Sequence, residues 1–212
     1  MHIDIGGRLV GDGQPCFIIA EIGSNHDQDL GLAHKMIDAA VDAGVDAVKF
    51  QTFAADTHYS KFAESPGYLE EKNIHGLIRS LELNRSWQAE LKDHAEERNV
   101  VFMSSPCDPA AVRELAELNM EAYKVASFDM PDLDLVRLIA EQGKPVILST
   151  GLADWMEIQR AVDACKSVGN DQIALLQCTS LYPAPASLSN LAAMDSMKAA
   201  YEIGRASCRE RV

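Results

Sequence analysis

Two lysines stand inside otherwise apolar runs, Lys49 in AVKFQ (47–51) and Lys124 in AYKVA (122–126). Lysine is rarely buried without a partner. Each therefore needs a carboxylate, a bound anion, or a path along which its stem carries the ammonium to solvent. Gln51 follows Lys49 by two residues and so shares its face on an extended strand. Hydroxyls stand at the ends of neighbouring apolar runs, at Ser105, Ser127 and Ser149. Two lysines and three serines describe a cradle for one small anion, a phosphate or carboxylate, built from charge and directed donors rather than from a glycine loop. The same residues admit another chemistry, because a lysine at a strand end can act as a Schiff-base nucleophile.

Glu21 ends the first such run, in AEIGSNH (20–26). A carboxylate there can serve as acid, base or water-orienting group. It can equally pair with Lys49 or Lys124 purely to neutralise buried charge. His26, a lone histidine in a loop, reads as a hydrogen-bonded structural residue.

These residues must be positioned by the elements around them. Short β-branched runs at 16–21, 46–51, 100–104, 122–126, 145–149 and 172–177 read as strands. Segments with helical spacing follow at 30–43, 86–98, 109–118, 131–142, 154–168 and 189–201. Asp108-Pro109 supplies an N-cap with proline at the first helical position, and Gly44, Gly143 and Gly169 fall where helices should stop. Strict alternation implies a parallel sheet with right-handed crossovers. No GxGxxG or GxxxxGK[ST] follows any strand, which disfavours a doubly wound nucleotide fold. Every strand ends in groups able to bind or react, as in a (β/α) barrel. The expected class is thus α/β, a parallel TIM-type barrel with about six of eight βα units, preceded by a hairpin around Gly6-Gly7 that could plug its base. The linker 52–84 is long enough to be a substrate-covering loop, with a short helix expected near 74–81.

The last residues, EIGRASCRERV (202–212), break the pattern where another strand was due. They read as a non-native tail after a truncated catalytic domain at 1–201. Six βα units alone would leave bare edges at the first and sixth strands. A net charge of −13 excludes a basic footprint for nucleic acid or an anionic membrane. No apolar run approaches a membrane span, and no leader pattern opens the chain, so a cytoplasmic setting is expected. The cysteines Cys16, Cys107, Cys165, Cys178 and Cys208 form no CxxC pair and read as plain thiols.

The stretches AEIGSNH (20–26), VKFQ (48–51), SSPCD (104–108), YKVAS (123–127), GKPVILSTG (143–151) and QCTSLYPAP (177–185) resemble, in order, the signatures of the sialic acid synthase family. The resemblance implies a barrel followed by a small antifreeze-like domain, absent here, and a homodimer at full length. It also implies metal-dependent condensation of phosphoenolpyruvate with an N-acylated amino sugar. On that basis Lys49, Ser105, Lys124, Ser127 and Ser149 would hold phosphoenolpyruvate, Gln51, Asp129, Ser180 and Tyr182 would meet the sugar, and Glu21 would assist near the reacting carbons. Ser105, Cys107, Gln177 and Asp129 depart from the commoner threonine, aromatic, histidine and glutamate, and 126–128 look closer to pseudaminic- or legionaminic-type relatives. The divalent ion, Mn2+ or Mg2+, would be held by histidines of later strands, so no residue of this chain is offered as a ligand. Two other readings stay open: a Schiff-base aldolase using Lys124, and an inactive fragment.

Overall fold

A computed structural model describes residues 2–62, 73–181 and 183–201, and the backbone of 204–207. The chain opens with an antiparallel hairpin, β1 (His2–Ile5) and β2 (Arg8–Gly11), in which His2 lies opposite Gly11 and Ile5 opposite Arg8. Alternation puts Ile3 and Ile5 on one buried face. The chain divides into two compact units, Ile18–Asn119, and Met1–Phe17, which holds the hairpin, together with the chain from Met120 on.

In the unit Ile18–Asn119, β3 (Ile19–Gly23), α1 (Leu30–Asp42), β4 (Ala47–Thr52), α2 (Ala55–His58), α3 (Ile74–Ser80), α4 (Gln88–Glu97), β5 (Val101–Pro106) and α5 (Pro109–Glu117) follow in order. The strands pair in parallel, β3 with β4 and β4 with β5. Helix α1 starts where the Asp29 side chain accepts from the Leu32 N–H, and it buries Ala33, Ile37 and Ala40, spaced along one face. Asp108 caps α5 by accepting from Ala111, with Pro109 in the first turn as expected. The anticipated short helix after β4 is α3, while residues 63–72 of that linker lie outside the described residues.

The other unit continues with β6 (Tyr123–Val125), α6 (Leu133–Ala140), β7 (Val146–Ser149), α7 (Trp155–Ser167), β8 (Ile173–Gln177), α8 (Ala193–Tyr201) and β9 (Gly204–Ser207). Here β6 pairs with β7, β7 with β8 and β8 with β9, all in parallel. Strand β7 is buried throughout, so its residues face packed side chains on both sides of the sheet. Helix α7 begins in a reciprocal capping box between Asp154 and Glu157. Gly143 and Gly169 close the helices before β7 and β8 with φ of 69° and 80°, a backbone region that a side chain would strain. The Asp12 carboxylate takes the Lys198 ammonium at 2.6 and 2.7 Å, tying the residue after the hairpin to α8.

All six expected βα repeats are present, in an α/β fold of the parallel (β/α) barrel type with the hairpin ahead of it. One expectation fails: the sixth strand, β8, has no bare edge, because Gly204–Ser207 pairs along it. An unpaired edge is a row of unmet N–H and C=O groups, and an extended segment arriving after α8 satisfies them whatever its side chains.

Candidate active site

The register of β3, β4 and β5 determines which side chains meet. Glu21 stands opposite Lys49, and Gln51 stands opposite Ser105. Lys49 is only 7% exposed, so its side chain is buried. It forms an ion pair with the Glu21 carboxylate and donates to Ser105 Oγ at 3.4 Å. Within this unit, Lys49 is a partner of Glu21. Pairing shifts between Glu21 and Gly23, a bulge of the kind that re-aims a side chain at a strand end. Gly23 has φ of 56°, and a Cβ there would stand 3.1 Å from Glu21 Oε1 and 3.7 Å from Gln51 Nε2. Gln51 and Glu21 therefore crowd the same strand end.

Ser104, which also ends this run, points away. Its hydroxyl lies 2.8 Å from that of Thr52, and Thr52 Oγ1 donates to Gln88 of α4 at 3.2 Å. Phe50 and Phe102 stack on the same face, with ring centroids 5.6 Å apart. Strand alternation thus splits Ser104 and Ser105 between the helix-covered face and the face of Lys49.

In the other unit, Lys124 is 6% exposed and donates to Val125 O at 3.0 Å and to Ser149 Oγ. Ser127 and Asp129 lie in the turn directly after β6, and Asp129 is buried. Ser149, the last residue of β7, is buried and lies 3.4 Å from Cys178 Sγ. The loop after β8 closes onto the loop after β7: a Cβ on Gly151 would stand 2.5 Å from Ser180 Oγ and 3.0 Å from Cys178 Cβ. Tyr182 lies outside the described residues. Gln177, the last residue of β8, and Thr179 just beyond it are turned to the backbone, Gln177 Nε2 donating to Ser189 O and Thr179 Oγ1 to Leu188 O. Cys178 reads from sequence only as a plain thiol and Gly151 was not singled out, the one sign of a site role being their place inside the QCTS and STG stretches.

His26 is fully buried and accepts the Gln28 N–H at Nδ1, 3.1 Å away. Burial lowers its pKa against the opposing pull of Asp27, so it is a neutral structural ring. It braces a tight loop in which Asp27 and Gln28 both take positive φ. A cleft of about 490 Å³ in the same unit is lined by Gln28, Phe53, Glu82, Arg85 and Trp87, and includes none of the lysine and serine groups. Its one guanidinium, Arg85, is already engaged by Asp108 and by Glu114 at 3.1 Å. The chemistry of the lysines outweighs the size of that cleft.

Neither cluster, taken by itself, is a divalent-ion ligand set. The first offers the Glu21 carboxylate, which is ion-paired with Lys49, and the second the buried Asp129. An ion of this kind takes several oxygen or imidazole donors.

Fold and strand-end chemistry together define an α/β protein of the parallel barrel type with ammonium and hydroxyl groups at its strand ends. A sequence model of the NeuB family matches residues 36–205, and the chain belongs to that family. It is 38% identical over 202 residues to the spore coat polysaccharide biosynthesis protein SpsE of Bacillus subtilis, covering 93% of this chain and 53% of that protein. It is 39% identical over 193 residues to the N,N'-diacetyllegionaminic acid synthase of Campylobacter jejuni, covering 88% of this chain and 58% of the relative. The human N-acetylneuraminate-9-phosphate synthase is 35% identical over 181 residues, with 84% and 50% covered. The chain thus spans a little over half the length of the first two relatives and half of the third. Among solved structures, the N-acetylneuraminic acid synthetase of Leptospira borgpetersenii matches with a TM-score of 0.89 at 33% identity, covering 100% of this chain and 70% of that one. A truncated 3-deoxy-D-arabino-heptulosonate 7-phosphate synthase of Thermotoga maritima, at 14% identity and a TM-score of 0.70, shares the fold.

Proposed function

We propose that the whole protein condenses phosphoenolpyruvate with an N-acylated amino sugar, giving a nonulosonic acid and inorganic phosphate. The observation that carries this reading is the repeated pairing of a buried strand lysine with a serine hydroxyl, Lys49 with Ser105 and Lys124 with Ser149. Relatives whose names make them legionaminic, pseudaminic and sialic acid synthases support it.

In this reading Lys49, Lys124, Ser105, Ser127 and Ser149 hold the phosphate and carboxylate of phosphoenolpyruvate. Gln51, Asp129, Ser180 and Tyr182 orient the sugar. The π electrons between carbons 2 and 3 form the new bond from carbon 3 to the aldehyde carbon, whose oxygen takes a proton. Water adds its oxygen to carbon 2 and releases a proton. Collapse of that tetrahedral centre breaks the bond from carbon 2 to the phosphate oxygen, the carbon-2 hydroxyl gives its proton to the departing phosphate, and a keto acid remains. Glu21, beside Lys49, is placed to hold or move one of these protons. The reading includes Mn2+ or Mg2+ as cofactor, a homodimer and a cytoplasmic setting for the whole protein.

The test is phosphate release from phosphoenolpyruvate in the presence of the amino sugar. Lys49→Ala should lower it by about a hundredfold or more, since positioning and charge neutralisation go together. Unchanged turnover refutes the assignment. Borohydride with pyruvate should leave Lys124 unmodified, whereas a trapped adduct there would transfer the protein to the Schiff-base aldolases.

A further inference from the structure

The cleft of about 490 Å³ in the unit Ile18–Asn119 has no part in the reaction proposed for the strand ends. Bonds fix its walls and leave other atoms of the same side chains open. The Gln28 amide nitrogen donates to Arg79 O at 3.1 Å and to Glu82 O at 3.3 Å, so Gln28 Oε1 remains to accept. Glu82 Oε1 accepts the Ala55 N–H at 2.6 Å, and Glu82 Oε2 remains. Asn84 Oδ1 takes the N–H and the hydroxyl of Ser86 at 3.1 and 2.9 Å, which fills both of its lone pairs and leaves the amide N–H groups to donate. The indole N–H of Trp87 is a further donor. Among the described residues, none of these four groups has a partner.

Charge narrows what such a cleft can hold. Its guanidinium, Arg85, is already balanced by Asp108 and Glu114, which disfavours a phosphate or carboxylate ligand. One open carboxylate oxygen, Glu82 Oε2, is too few for a divalent ion. What remains is two acceptors, two donors and the rings of Phe53 and Trp87. A hydroxyl both donates and accepts, so vicinal hydroxyls satisfy acceptors and donors set side by side, while the C–H face of a sugar ring lies against an aromatic wall. The volume falls within the range of about 300–1,000 Å³ usual for small-molecule sites, and walls already held by their own bonds need little ordering on binding. We propose that this cleft is a second binding site, for a neutral saccharide, separate from the lysine and serine groups. It does not depend on the reaction proposed for the strand ends.

The chain has two tryptophans, so Trp155→Phe leaves Trp87 as its one indole. Titration calorimetry of that variant with N-acetylglucosamine and with glucose gives the affinity, and Trp87 emission gives the location. Saturable binding of at least one sugar, with a matching change in emission, is the expected result, and inorganic phosphate should give neither. Asn84→Asp keeps the acceptor for Ser86 but removes the amide donors, and Glu82→Gln keeps an acceptor for Ala55 but replaces the open one with a donor. Each should weaken the sugar at least about fivefold. Gln51→Ala, at the strand-end site, should change its affinity less than about twofold. Absence of saturable binding by either sugar overturns the proposal, as does an affinity that Asn84→Asp and Glu82→Gln leave unmoved. Loss of binding in Gln51→Ala also overturns it, since the sugar would then occupy the strand ends.

Discussion

Replacing Glu21 by glutamine should make the protein less stable and its anion site stronger. Lys49 and Glu21 face one another with side chains only 9% and 19% exposed. Opposite charges about 4 Å apart attract by about 4 kcal/mol at an effective dielectric constant near 20. The desolvation of both ions offsets part of this, but glutamine keeps that desolvation for the ammonium and loses the counter-charge. A net loss of about 2 kcal/mol follows, which for a chain of this size lowers the unfolding midpoint by roughly 4–8 °C. The same change exposes a bound anion to the full charge of Lys49. Relief of only 1.4 kcal/mol of competition would tighten phosphoenolpyruvate binding about tenfold. Thermal unfolding and titration calorimetry on Glu21→Gln and Lys49→Met read the two effects separately, and Lys49→Met should bind at least tenfold more weakly. A Glu21→Gln protein with an unchanged midpoint and unchanged affinity would refute both the buried pair and its place beside the anion.

Arg85→Met should cost about 3 kcal/mol, because it leaves the buried Asp108 carboxylate without its guanidinium, measured by denaturant unfolding. Burial raises the pKa of Asp108, but Arg85, the Ala111 N–H and Thr57 outweigh it and hold the group below its usual range. Its stability contribution is thus present above the unfolded value of about 3.8 and lost as pH falls through the folded one, so Arg85→Met should move acid unfolding to higher pH. At the alkaline end, burial pushes the Cys165 thiol up to about 11 from 9.0 and the Tyr123 phenol up to about 12 from 10.0. Both contributions are whole below the unfolded values and are lost as pH rises towards the folded ones, so stability should decline between about pH 9 and 12, with Cys165 labelled by disulfide reagents only as fast as the protein unfolds. Gly151→Ala should lose about 1–3 kcal/mol by overpacking against the Ser180 loop, read as a lower unfolding midpoint.

The features legible in the sequence are those with a local cause. Lys49 and Gln51 share a face because strands alternate, and Asp108-Pro109 begins a helix because its capping chemistry is contained in adjacent residues. The pairing of Glu21 with Lys49 needed the register of β3 on β4, including the bulge before Gly23, which no single strand encodes. Ser104 and Ser105 are adjacent hydroxyls of the SSPCD stretch, and only the fold separates them, with Ser104 turned to Thr52, which bonds Gln88 on the helix side. The contact of Cys178 with Ser149 joins residues 29 apart through the approach of two loops, and only the space left by Gly151 betrays it. The sixth strand's edge was misread for a related reason: Gly204–Ser207 carries no strand pattern, yet backbone pairing along β8 requires none.

The proposed function requires that Lys49 and Lys124 each contribute to holding phosphoenolpyruvate. Its most direct measurement is the stoichiometry and affinity of that ligand for the wild type, Lys49→Met, Lys124→Met and the double variant. A single bound molecule, weakened at least about tenfold by either substitution, is the predicted result. Two independent sites, or a Lys124→Met protein that binds as tightly as the wild type, would contradict it.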